Sequence, residues 1–121
     1  MPSDGDEEDG EDDPEVLGQL EQAQEDLIEE FMGRTFDLKT EKVEETRAQC
    51  KTDGLSRDES KAKVSEVEKK IVTLRRQGVK ALKQLFAEVT ENEEMLLVNK
   101  AQWFADKTNL DSIYEQMDKL L

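Results

Sequence analysis

The sequence predicts an all-α protein, elongated rather than compact: a coiled coil or helical hairpin with a long C-terminal helix and a disordered acidic N-terminal tail. Three observations predict it. Of 121 residues, 40% are charged and only 35% hydrophobic, a balance suited to long exposed helices and too polar for a thick core. Apolar residues recur three, four and seven positions apart, the spacing of one helix face. Clear helix start and stop signals divide the chain.

Residues 1–14 form the expected tail. Nine acids and no base fall in the first fifteen residues, so most of the net charge of -14 belongs there, and the rest of the chain carries 22 acids against 17 bases. Mutual repulsion and a lack of apolar groups leave nothing to offset the entropy of ordering such a segment. The tail reads as solubilising, with binding to a basic, histone-like surface as the alternative role.

The first helical segment is expected over residues 15–50. Asp13 can cap it, Pro14 fits its first turn, and early acids suit the positive end of the helix dipole. Leu17, Leu20, Leu27, Phe31 and Leu38 fall on one stripe with Ile28 beside it, interrupted by Gln24 and Arg34. Gly33 and its neighbours predict a bend near residues 33–37. Beyond it, Val43 and Cys50 are the remaining seam candidates. A turn is expected at residues 51–56, with Gly54 as the C-terminal cap. Ser56-Arg-Asp-Glu59 then forms a capping box, in which a hydroxyl and a carboxylate satisfy backbone donors that a helix start leaves unpaired.

A long coiled-coil helix is expected over residues 57–121. Val64, Val67, Ile71 and Leu74 alternate as a and d positions, and the eleven residues from Ile71 to Leu82 place a stutter near Gly78. Past it, Leu82, Val89, Leu96, Trp103, Leu110 and Met117 keep strict heptad spacing. The matching d positions are Leu85, Asn92, Asn99, Asp106, Ile113 and Leu120. Near residue 107 two readings stay open. The helix continues, or Thr108-Asn-Leu-Asp111 starts a separate docking helix.

The seam also has two readings: it folds against the first segment, or it pairs with another chain. Length favours the second, because the first segment covers little more than half of the second. Leu96, Trp103, Phe104, Leu110, Ile113, Met117 and Leu120 would then be exposed together, a patch that normally marks an interface. Leu82, Leu85 and Val89 extend it, with Trp103 and Phe104 as anchors. Asn92, Asn99 and Asp106 are expected to set register. Three polar layers in succession disfavour a symmetric dimer, so a hetero-oligomer with other helical chains is expected over a homodimer. Met95-Leu-Leu-Val98 is apolar all round, which suits a helix touched from several sides.

Lys69, Lys70, Arg75, Arg76, Lys80 and Lys83 form a basic band with no acid between Ile71 and Ala87. It is a solvated face or a docking site for an acidic surface, including the protein's own tail. Nucleic acid is not expected, since the overall charge repels phosphate. No cofactor and no metal site is expected: there is no His, no phosphate-binding loop and a single cysteine, Cys50. No enzyme is expected either, because catalytic carboxylates need a cavity that shifts them apart. No apolar run reaches the roughly 18 residues of a membrane span, and the acidic start is unlike a leader peptide. The sequence therefore reads as an intracellular protein, cytoplasmic or cytoskeletal rather than nuclear and not secreted. Its expected role is that of a non-enzymatic structural subunit or adaptor of a multi-protein assembly acting by helix–helix association; the alternative is a regulatory binding protein whose acidic tail engages a basic partner, with the helices serving for dimerisation.

Overall fold

A computed structural model describes residues 13–121, so the acidic tail lies almost wholly outside the described residues. Among these residues the protein is all-α, with four helices: α1 (Pro14–Thr52), α2 (Arg57–Thr90), α3 (Leu97–Trp103) and α4 (Lys107–Leu120). Asp13 opens α1 by accepting a hydrogen bond from the Glu15 N–H at 3.0 Å, with Pro14 at the first helical position. α1 runs unbroken for 39 residues, through the expected bend at residues 33–37. Packing overrides the weak helix preference of Gly33 there: Phe31 and Thr35, on either side, are both fully buried.

α1 ends in a 6→1 reversal. The Leu55 N–H donates to the Cys50 carbonyl at 3.0 Å, and Gly54 adopts φ 70°, a conformation that a Cβ disfavours. Ser56 then caps α2 reciprocally: Glu59 N–H donates to Ser56 Oγ, and Ser56 N–H donates to Glu59 Oε1, each at 3.2 Å. These two helices run antiparallel, as shown by the cross-pairs Gln24 with Thr90, Thr35 with Arg75 and Lys39 with Glu68.

At the middle of the pair the helices approach so closely that a Cβ at Gly78 would collide with the Phe31 ring. Buried side chains step by four on both sides of this point, Leu27, Phe31 and Thr35 on α1 facing Gly78, Leu82 and Phe86 on α2. The four-residue step foreseen near Gly78 thus has a counterpart in the spacing of buried residues on α1.

The single long helix expected over residues 57–121 is not formed. α2 stops at Thr90, α3 follows after residues 91–96, and α4 begins at Lys107. Two of the three polar residues placed at d positions account for the breaks, because short side-chain oxygens compete for backbone N–H groups. Asn92 Oδ1 accepts from the Glu94 N–H at 2.9 Å, and Asp106 Oδ1 accepts from Thr108 and Asn109 at 2.9 and 3.2 Å. The two breaks turn the chain back onto the open end of the α1–α2 pair. There Leu20, Leu27 and Phe31 meet Leu82, Phe86 and Val89, and the core is closed by Leu97, Phe104, Ile113 and Met117.

Two outcomes follow. Gly78→Ala should lower stability in urea unfolding by about 1–2 kcal/mol, because overpacking against Phe31 outweighs the helix preference gained. Gly18→Ala, where a Cβ meets nothing within 4 Å, should raise stability by about 0.5–1 kcal/mol. Separately, the Ser56 backbone N–H, then its hydroxyl, and the charge of Lys63 hold the Glu59 carboxyl below its ordinary value of 4.5. A carboxyl depressed in the folded state stabilises fully above its unfolded pKa, and that contribution disappears as pH falls through the folded value. An NMR titration should find Glu59 below the ordinary glutamate value, and Ser56→Ala should raise it.

Candidate interaction surface

The C-terminal residues singled out as a partner interface are largely covered by their own chain. Leu82, Val89, Phe104, Ile113 and Met117 are buried, and Leu85, Trp103, Leu110 and Leu120 pack half-buried against the same core. Leu96, at 43% exposure, is the exception. The expectation that these side chains are left exposed together is therefore not met within the chain itself. The length argument assumed a straight helix; two breaks shorten the segment enough to fit.

Aromatic and polar groups hold the returned segment. Phe104 packs edge-on to both Phe86 and Trp103, with ring centroids 5.3 and 4.9 Å apart. Arg34, which interrupts the apolar stripe of α1, binds Glu30 at 3.1 Å and Asp118 of α4 at 2.6 Å, while its guanidinium lies 5.2 Å from the Tyr114 ring centre. Gln24, the other interruption, donates to Thr90 Oγ1 at 2.8 Å. Lys100 Nζ donates to the Thr90 carbonyl at 2.6 Å, and Asn109 Nδ2 donates to the Trp103 carbonyl at 3.1 Å. Of the polar residues expected to set register, Asn92 and Asp106 bind local backbone within this chain, and Asn99 is exposed.

A different surface is left open. Residues two apart on a helix point about 200° away from each other. Arg34 therefore faces α4, while Met32 and Phe36 face the other flank, exposed by 43% and 61%. On that flank Met32 borders an open groove of about 560 Å³ with Arg75, Arg76, Val79, Lys80, Lys83, Gln84 and Ala87 of α2. Four of the six basic-band residues thus meet in one groove. Lys69 and Lys70 lie apart, along a smaller depression with Leu74. No Asp or Glu lies within ion-pair distance of the six among the described residues; Arg75 Nε donates instead to Thr35 Oγ1 at 3.0 Å.

Met32, Thr35, Phe36 and Val79 were missed as site residues in the sequence. Their signal was a second stripe, Ile28, Met32 and Phe36, each four residues on from the last and displaced sideways from the main one. Thr35 is fully buried and bridges the helices, donating to the Met32 carbonyl at 2.7 Å while accepting from Arg75.

Among the described residues no group of three or more His, Cys, Asp or Glu could hold a metal ion, and no helix is long and apolar enough to cross a membrane. No protein-family model, no curated protein and no solved structure matches the chain.

Because Met117 is fully buried within its own chain, Met117→Ala should cost the isolated protein about 2–5 kcal/mol. Its melting temperature should not depend on protein concentration, as sedimentation and calorimetry across a hundredfold dilution, chosen to span roughly 3 kcal/mol of mass action, will show.

Proposed function

We propose that the protein is a non-enzymatic adaptor or structural subunit of a multi-protein assembly, in which the α1–α2 pair serves as a hairpin scaffold of coiled-coil type and docks a helix of another chain. The observation that carries this reading is the exposure of Met32 and Phe36, one turn apart, on the flank of α1 that α4 leaves uncovered. Covering a side chain of this kind fully is worth about 1.5–3 kcal/mol. Two of them with the neighbouring aliphatic floor are enough to anchor a partner helix of modest affinity. The interface moves accordingly from the C-terminal seam to the outer flank of the pair.

A hetero-assembly fits this flank better than a homodimer. It presents four cations beside apolar side chains, and a second copy brought face to face would oppose like charges. The net charge of -14 makes protein, not nucleic acid, the reasonable partner.

Replacing Met32 and Phe36 together by Asp tests the reading. Both positions are exposed, so helicity and melting temperature should stay near those of the parent chain. Chains that co-purify with the parent from native extract should be lost from the double variant. Retention of the same partners by the double variant would refute docking through this flank.

A further inference from the structure

We propose that the groove between α1 and α2 binds an amphipathic helix of a partner chain whose apolar stripe is flanked by Asp and Glu. This rests on the docking role proposed above and specifies the chemistry of what docks. The floor of the groove is aliphatic, formed by Met32, Val79 and Ala87. Its rim is cationic, formed by Arg75, Arg76, Lys80 and Lys83, and none of the four has a carboxylate within ion-pair distance among the described residues. Lys83 also borders a second depression beside Glu25 and Glu29, so positive charge is most concentrated around Arg75, Arg76 and Lys80.

An apolar floor with a charged rim discriminates twice. The floor requires side chains that gain by leaving water, which selects a helix with apolar residues at three- and four-residue spacing. Acids on either side of that stripe are required by the rim, because a basic flank would meet four like charges. From Arg75 to Ala87 the groove follows α2 for thirteen residues, a rise of about 18 Å or a little over three helical turns. A partner helix of four or five turns would cover it.

The protein's own residues 1–12 satisfy one requirement and fail the other. They carry seven acids, which match the rim, but only Met1 and Pro2 among them are apolar, so they have nothing with which to fill the floor. Reach is not the obstacle, since twelve extended residues span up to about 40 Å. The occupant is therefore a helix with apolar side chains of its own.

The test uses the full chain and three labelled synthetic peptides of about 18 residues, five helical turns. One carries Leu at heptad a and d with Glu flanking, one has Lys in place of each Glu, and one keeps Glu but has Ser in place of each Leu. Fluorescence anisotropy should show the Leu/Glu peptide binding at least about tenfold tighter than either control. Its affinity should fall as salt rises from roughly 50 to 300 mM. Arg76→Glu with Lys80→Glu, both on exposed positions, should weaken binding by about tenfold or more and flatten the salt dependence. Met32→Asp should weaken it similarly, with circular dichroism confirming an unchanged fold.

Equal affinity for the Glu and Lys peptides, or binding indifferent to the groove variants, would overturn the proposal. So would concentration-dependent self-association abolished by Met32→Asp, which would make a second copy the occupant. Binding that appears only after deletion of residues 1–12 would assign the groove to the tail instead. Should the peptides fail while the Met32 and Phe36 double variant still loses its partners, docking stands and only the acidic chemistry is wrong.

Discussion

The close approach of Phe31 to Gly78 sets the geometry on which the other contacts depend. With no side chain at Gly78, the Phe31 ring lies directly on the backbone of α2, fixing both the separation and the axial register of the two long helices. That register brings Arg75 within 3.0 Å of Thr35 and Gln24 within 2.8 Å of Thr90. It also decides what each flank presents. Three residues beyond Phe31, Arg34 turns to α4; one residue beyond it, Met32 turns to the opposite side and meets Val79. A shift of α2 by one residue would rotate the cations out of the groove and break both polar ties.

The covered flank shows how a chain so poor in apolar residues closes a core. Its C-terminal segment has one apolar stripe, and a straight helix would leave much of it bare. Breaking after Thr90 and before Lys107 allows Leu97, Phe104, Ile113 and Met117 to reach the same three α1 side chains, Leu20, Leu27 and Phe31. Each break exposes backbone groups, and nearby side chains meet several of them. Lys100 covers the Thr90 carbonyl, Asn109 covers that of Trp103, and Asp106 accepts from the first donors of α4. Leaving such groups unpaired would cost about 1–3 kcal/mol apiece where they are buried, enough to undo much of what the added apolar contacts contribute.

Local chemistry was legible in the sequence, and competition between local and distant interactions was not. Caps are decided by one or two side chains a few residues away, so Asp13 with Pro14, Gly54, and Ser56 with Glu59 could be read directly. Helix continuity is decided by what a segment packs against. Gly33 looked like a bend, but it lies within an unbroken helix between the buried Phe31 and Thr35. The heptad from Leu82 to Met117 looked like one helix because two short helices folding onto one core satisfy the same spacing. Asn92 and Asp106 carried the better signal. Each was read as a buried layer, whereas a short polar side chain is equally suited to end or start a helix. On the outer flank the basic band was visible, yet its apolar partners on α1 were not, since nothing in the sequence says which two stripes will share a groove.

The two ends of the α1–α2 pair differ in a way that bears on association. From Phe31 back to Leu20 the pair is thickened by α3 and α4. Toward the turn at residues 53–56 it is a bare two-helix arm, in which Val43, Cys50, Val64 and Ile71 are the buried hydrophobic residues and none belongs to the main cluster. An arm with so few apolar contacts should open at a lower free energy than the base, because helices in water owe most of their stability to packing. The basic groove begins where arm and base meet, at Arg75 and Arg76, and runs over the base to Ala87. A helix bound there would rest on the rigid part of the molecule and lose little affinity to ordering it. Its contacts at Arg75, which holds Thr35, would also tighten the joint between α1 and α2 from which the arm extends. Arg75 is thus the one groove side chain, among the described residues, that also ties α2 to α1 by a hydrogen bond, at the point where the arm leaves the base.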